Sequence, residues 1–144
     1  MDSSEPDRSH VVNEVLLRRI AHYLSDTKFT TRVSVFPPNH RESIVAEIDT
    51  VYDPDHVHAV RLDIRAYLNE DFHVMYIEQH EHGQWKCRWD SHPNPHNSRT
   101  HFHPPPDAAT ETAADRDFPE DFFEVIRLVL AAVETRIGES WSAQ

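Results

Sequence analysis

Several things are nearly absent from this chain of 144 residues. It has two glycines, Gly83 and Gly138, so no glycine-rich loop can cradle a phosphate. A lone cysteine, Cys87, excludes an internal disulfide framework and suits a reducing compartment. No apolar run approaches the roughly 20 residues that a membrane helix needs, so no membrane partner is expected. The N-terminus, MDSSEPDRSH, is polar and acidic and does not read as a secretory signal, so a cytoplasmic location is expected. Lysine is scarce too: Lys28 and Lys86 stand beside twelve arginines, against 25 carboxylates, giving a formal charge of -11. Many carboxylates with few lysines match the bias of salt-adapted archaea, where salt screens self-repulsion. A halophilic archaeal source is therefore the expectation. On that reading net acidity reflects the solvent and is poor evidence against a nucleic-acid partner.

What is present is patterned. Residues 1–8 read as a disordered start, and 9–144 as one α+β domain. Ser9 can cap a helix from His10 to Leu24, with Val12, Leu16, Ile20 and Tyr23/Leu24 as its apolar stripe. Short alternating segments follow: Thr30–Phe36, Ser43–Thr50, Val57–Leu68, Phe72–Gln79 and Gln84–Asp90. Turn residues separate them, the last turn being His80-Glu81-His82-Gly83. Thr100–His103 is a sixth extended piece. A closing helix is expected from Pro119 to Ile137, with Asp117 and Glu120 as a capping box and Gly138 beyond its end. Its stripe is Phe122, Ile126, Val129/Leu130, Val133 and Ile137. This order predicts a twisted antiparallel sheet of five to six strands with both helices on one face.

The candidate chemistry lies in WDSHPNPHNSRTHFHPPPD, Trp89 to Asp107. Seven of the twelve histidines fall between His73 and His103. Side chains two apart in a strand share a face, so His101 and His103 point together and Phe102 points away. Pro93 and Pro95 stiffen the loop that carries His92 and His96. Arg88 and Arg99 are candidate anion contacts, and Asp90 can orient a histidine. Trp89 is a candidate stacking surface for an unpaired base.

Three readings follow from these residue types. Paired imidazoles titrate near neutral pH and can share acid and base work, so His92, His96, His101 and His103 with Asp90 suit RNA cleavage or RNA binding. An H-x-H pair with His96, or with His92, can instead hold a divalent metal such as zinc in a non-catalytic or interaction module. The plain alternative is a proline-rich loop crossing the sheet edge. Other histidines need no role: His22 lies on a solvated helix, and His56, His58 and His73 read as exposed strand ends. Cys87 alternates with Trp85 and Trp89 and reads as core. A homodimer through the sheet edge is a further possible assembly.

The segment Arg88-Trp89-Asp90, Pro95-His96, His101-Phe102-His103 resembles the signature of the TumE-like toxin family of prokaryotic toxin–antitoxin systems. The preceding strand–turn–strand (Tyr76–Gln79, His82-Gly83, Trp85–Arg88) and the closing helix fit the same pattern. The resemblance covers roughly Val57 to His103. The chain departs from it at Asn97, where the family usually carries a second histidine, and in the added N-terminal helix. The resemblance implies a small cytoplasmic protein that acts on RNA or translation and is neutralised by a cognate antitoxin.

Overall fold

The computed structural model describes residues 11–92 and 99–143. Ser9, His10, His96 and the expected disordered start therefore lie outside the described residues. Helix α1 (Glu14–Ser25) leads into strands β1 (Thr30–Val35), β2 (Ile44–Ile48), β3 (Val57–Ala66), β4 (Phe72–His80), β5 (Gly83–Ser91), β6 (Thr100–His103) and β7 (Ala114–Asp115), and helix α2 (Phe122–Ser142) closes the chain. The sheet order is β1 to β7 in sequence, with every pair antiparallel.

The alternation along each strand explains the layering. Ile44 and Ala46 oppose Ile64 and Leu62. Leu62 and Ile64 oppose Tyr76 and Val74, which oppose Cys87 and Trp89, and Trp89 opposes Phe102. All but half-buried Phe102 are buried, in one core with Leu17, Ile20, Ala21 and Leu24 of α1 and Val125, Ile126, Val129 and Val133 of α2. Both helices thus cover a single face of the sheet, as expected. The opposite face takes the intervening residues, which are mostly polar.

One carboxylate interrupts the apolar face. Glu78 opposes Val60 and Trp85 and is fully buried. Arg136 of α2 clamps it with two hydrogen bonds, at 2.8 and 3.0 Å. The Tyr76 hydroxyl at 2.6 Å and His80 Nε2 at 2.8 Å complete the set. Burial alone would raise the Glu78 carboxyl, but the hydrogen bonds from Arg136, Tyr76 and His80 outweigh it and hold it low. The Arg136 guanidinium also stacks on Trp85, 3.7 Å from the ring centre. This cluster pins α2 to the sheet.

Three expectations need correction. Helix α1 starts at Glu14, because Asn13 is itself a good cap and accepts the Leu16 N–H at 3.1 Å. The β-branched pair before it is extended instead: Val12 bridges Tyr67, and the Leu68 N–H donates to Val11 at 2.9 Å. The stripe of α1 is rotated accordingly, with Leu17 and Ala21 buried rather than Val12 and Leu16. Helix α2 starts at Phe122, because Asp121 accepts the Phe123 N–H at 2.9 Å, and it runs through Gly138 to Ser142. A seventh strand emerges from the polar connector, where Ala114 and Asp115 pair with Phe102 and His101. Among the described residues no helix is long and apolar enough to cross a membrane.

Candidate functional site

The polar face of the sheet carries two rows of side chains, set by strand register. In the first, Arg65 opposes His73, His73 opposes Asp90, Asp90 opposes His101, and His101 opposes Asp115. In the second, Asp63 opposes Met75, Met75 opposes Arg88, and Arg88 opposes His103. Opposed side chains on one face of an antiparallel pair sit close enough to touch. Five strands therefore deliver titratable groups to one patch.

Asp90 is its hub and is fully buried. Its Oδ1 lies 2.8 Å from His73 Nδ1. Its Oδ2 accepts from Arg88 Nε at 2.8 Å and lies 2.9 Å from His103 Nε2. The Nε2 atoms of His92 and His101 both stand 3.9 Å from that same oxygen, and 3.2 Å from each other. Burial on its own would raise the Asp90 carboxyl, but the hydrogen bond and charge of His73 and the Arg88 guanidinium prevail and keep it below the usual carboxylate range. The hub is a carboxylate.

The histidines around it divide by exposure. His101 and His103 are 2 % exposed. His73 and His92 show 35 % and 34 % of their side chains. Their rings form a chain, with centres 5.5 Å apart for His73–His92, 4.7 Å for His92–His101 and 5.1 Å for His101–His103. His103 is pushed down by burial and by the Arg88 charge, so it favours the neutral form. No neutral tautomer suits all its neighbours. Nε2 faces the acceptor Asp90 Oδ2 and, at 3.2 Å, the donor Arg88, while Nδ1 lies 3.4 Å from the Ala109 carbonyl. His101 Nδ1 is buried and has no hydrogen-bond partner among the described residues. Beside the hub, Asp63, Arg65, His73, Met75, Arg88, Asp90 and His92 line an open cleft of about 360 Å³.

The structure thus brings together Arg88, Asp90, His92, His101 and His103, as the sequence suggested. It places the other candidates elsewhere. Trp89 alternates with Arg88 and Asp90, so it falls on the helix-covered face, 2 % exposed against Phe102, and offers no stacking surface there. Arg99 is engaged by Asp71 and by the Asn69 carbonyl, away from the hub. Arg88 spends its guanidinium on Asp90 and His103, so it braces the cluster rather than offering a free cation. Cys87 is core as expected, and burial pushes its thiol up to about 12.

His73 is a half-exposed member of the cluster rather than a plain exposed strand end, and Arg65 joins the same row, which the residue types alone do not signal. Both were within reach of a counting argument. The loop Glu81-His82 closes the hairpin, so His80 opposes Gly83, and stepping back seven residues puts His73 opposite Asp90. The next hairpin back puts Arg65 opposite His73.

The family model described as Toxin TumE matches residues 17–137, most of the chain and all of the Asp90 cluster. The chain belongs to the TumE toxin family. Neither the curated proteins nor the solved structures gave a match. The TumE match spans both helices' cores and all seven strands, so the N-terminal helix lies mostly inside the family's extent rather than being an addition to it.

Proposed function

We propose that this TumE-family chain is the toxin of a toxin–antitoxin pair, that its target is RNA, and that the Asp90 cluster is its working site. The single observation behind this is the convergence on one buried carboxylate of Arg88 and four imidazoles, two of them half exposed beside a cleft. The chemistry that suits it is ribonucleolytic. A neutral imidazole takes the proton of a ribose 2′-hydroxyl, the oxygen attacks the adjacent phosphorus, and the bond to the 5′-oxygen breaks. A protonated imidazole supplies the proton to the leaving oxygen. On exposure, His73 and His92 are the imidazoles that meet a substrate. His101 and His103 act through Asp90 as positioning residues. His96 remains a candidate of the same site. A cognate antitoxin would neutralise the toxin by covering this face.

The test is growth after induction, with and without the neighbouring antitoxin gene, alongside cleavage of RNA by purified protein. His101→Ala with His103→Ala should abolish growth arrest and cleavage while circular dichroism shows a folded chain. Arrest that persists in this folded double variant rejects the site.

A second reading has its own observation. The ligand atoms of Asp90, His101 and His103 lie within 4.8 Å of one another, and the contradictory demands on His103 Nε2 and the facing Nε2 atoms of His92 and His101 would both be relieved by a shared cation. This carboxylate–imidazole set fits zinc or another divalent ion, which would supply a Lewis acid or a structural tie. Elemental analysis of untagged protein tests it. Stoichiometric zinc lost in His101→Ala and in His103→Ala supports the reading, and metal-free protein that does not bind added zinc rejects it.

A further inference from the structure

From the cleft beside the hub we infer that the polar sheet face carries a phosphate-oxyanion subsite whose anchoring cation is Arg65. On the reading above, that oxyanion is the phosphodiester of the RNA, so the inference names what holds the substrate next to the imidazoles.

The argument begins with charge. Carboxylates outnumber cationic side chains by 25 to 14, so free arginines should be scarce. On this face the expected pairing is seen: Arg32 meets Glu47 at 3.8 Å, Arg61 meets Asp63 at 3.5 Å, and Arg88 meets Asp90 at 2.8 Å. Arg65 is exposed, lines the cleft, and has no carboxylate within ion-pair distance among the described residues. It is nevertheless held in place. Its Nε donates to the hydroxyl of the buried Ser43 at 2.9 Å. A guanidinium held through a neutral hydroxyl keeps its full charge and loses part of its freedom before an anion binds.

The remaining lining agrees. The acid in the cleft, Asp63, is paired by Arg61. Asp90 is covered by Arg88 and His73. Met75 lies on the same face between Asp63 and Arg88. His73 is bound to Asp90 through Nδ1, which leaves its Nε2 without a protein partner among the described residues. An oxyanion on Arg65 would therefore sit one strand from the imidazole that directly opposes it in the register.

The experiment is an NMR titration at the lowest ionic strength at which the protein remains folded. One arm uses inorganic phosphate. The other uses a dinucleotide with a hydrogen in place of the first 2′-hydroxyl, which cannot be cleaved. We expect at least one to shift the Arg65 Nε–H and His73 ring signals. Arg65→Gln should weaken that binding about tenfold or more, the usual worth of a charge-assisted hydrogen bond. Arg65→Lys should recover part of it, and Arg32→Gln should leave it unchanged. Response to the dinucleotide assigns the subsite to a nucleic-acid backbone, and response to phosphate alone assigns it to a free anion. If neither ligand shifts these signals, or Arg65→Gln binds as well as the parent, the subsite is wrong. Because this probe cannot be cleaved, its binding is independent of whether the protein is a ribonuclease.

Discussion

Individual buried carboxylates here differ in what their surroundings do to them. Asp90 and Glu78 are each surrounded by donors and held low. Asp53 is the opposite case: it is buried, both its oxygens lack a hydrogen-bond partner among the described residues, and burial followed by the nearby Glu78 charge raises its carboxyl. A raised carboxyl means that the ionised form costs stability at neutral pH and that the cost fades as pH falls through the folded value. Asp53→Asn should therefore raise the urea midpoint at pH 7, with the advantage shrinking toward pH 4. An Asp53→Asn midpoint below the parent's at pH 7 would contradict this. Glu78 carries the reverse sign. Its folded value is depressed, so its contribution is complete above the unfolded value of about 4.3 and is lost only in stronger acid. His73 and Asp90 show why residue-level reading is incomplete: a histidine at a strand end is unremarkable until the partner across the sheet is known.

Elements were legible to the extent that a local pattern defined them. Strands β2 to β5 alternate, and turn residues bound them, so their faces could be assigned by inspection. The helix ends were less legible, because several good caps competed. Ser9 or Asn13, and Asp117 or Asp121, are equivalent in type, and tertiary pairing of Val12 with Tyr67 helped decide the first. Strand β7 is two residues long and pairs only through β6, so it has no pattern of its own. Helix α2 gives two tests. Gly138 lies inside it, with nothing within 4 Å of an added Cβ. Gly138→Ala should stabilise by about 0.5–1 kcal/mol in urea unfolding. A loss would mean that the helix ends at Gly138 in solution. Arg136→Ala removes the guanidinium clamp from buried Glu78, leaving it Tyr76 and His80, and should cost about 3 kcal/mol in the same measurement.

The whole molecule separates packing from chemistry across one sheet. Helices, tryptophans and Cys87 occupy one face, and the Asp90 cluster with its cleft occupies the other. The sequence named five members of that cluster, because alternation and an H-x-H step are local signals. It misplaced Trp89 as a site residue, since adjacent residues of a strand face opposite ways, and the loop with His96 lies outside the described residues. A net charge of -11 also acts on the whole fold. Raising salt from about 0.1 to 1 M should raise the melting temperature by screening self-repulsion, and a lowered one would show that ion pairs outweigh it. The central claim is that this TumE chain works through Asp90. The most direct measurement is growth arrest on induction of Asp90→Asn, which keeps the shape and removes the charge. With the variant accumulating as folded protein, the account predicts that arrest is lost. Arrest equal to that of the parent chain would contradict it.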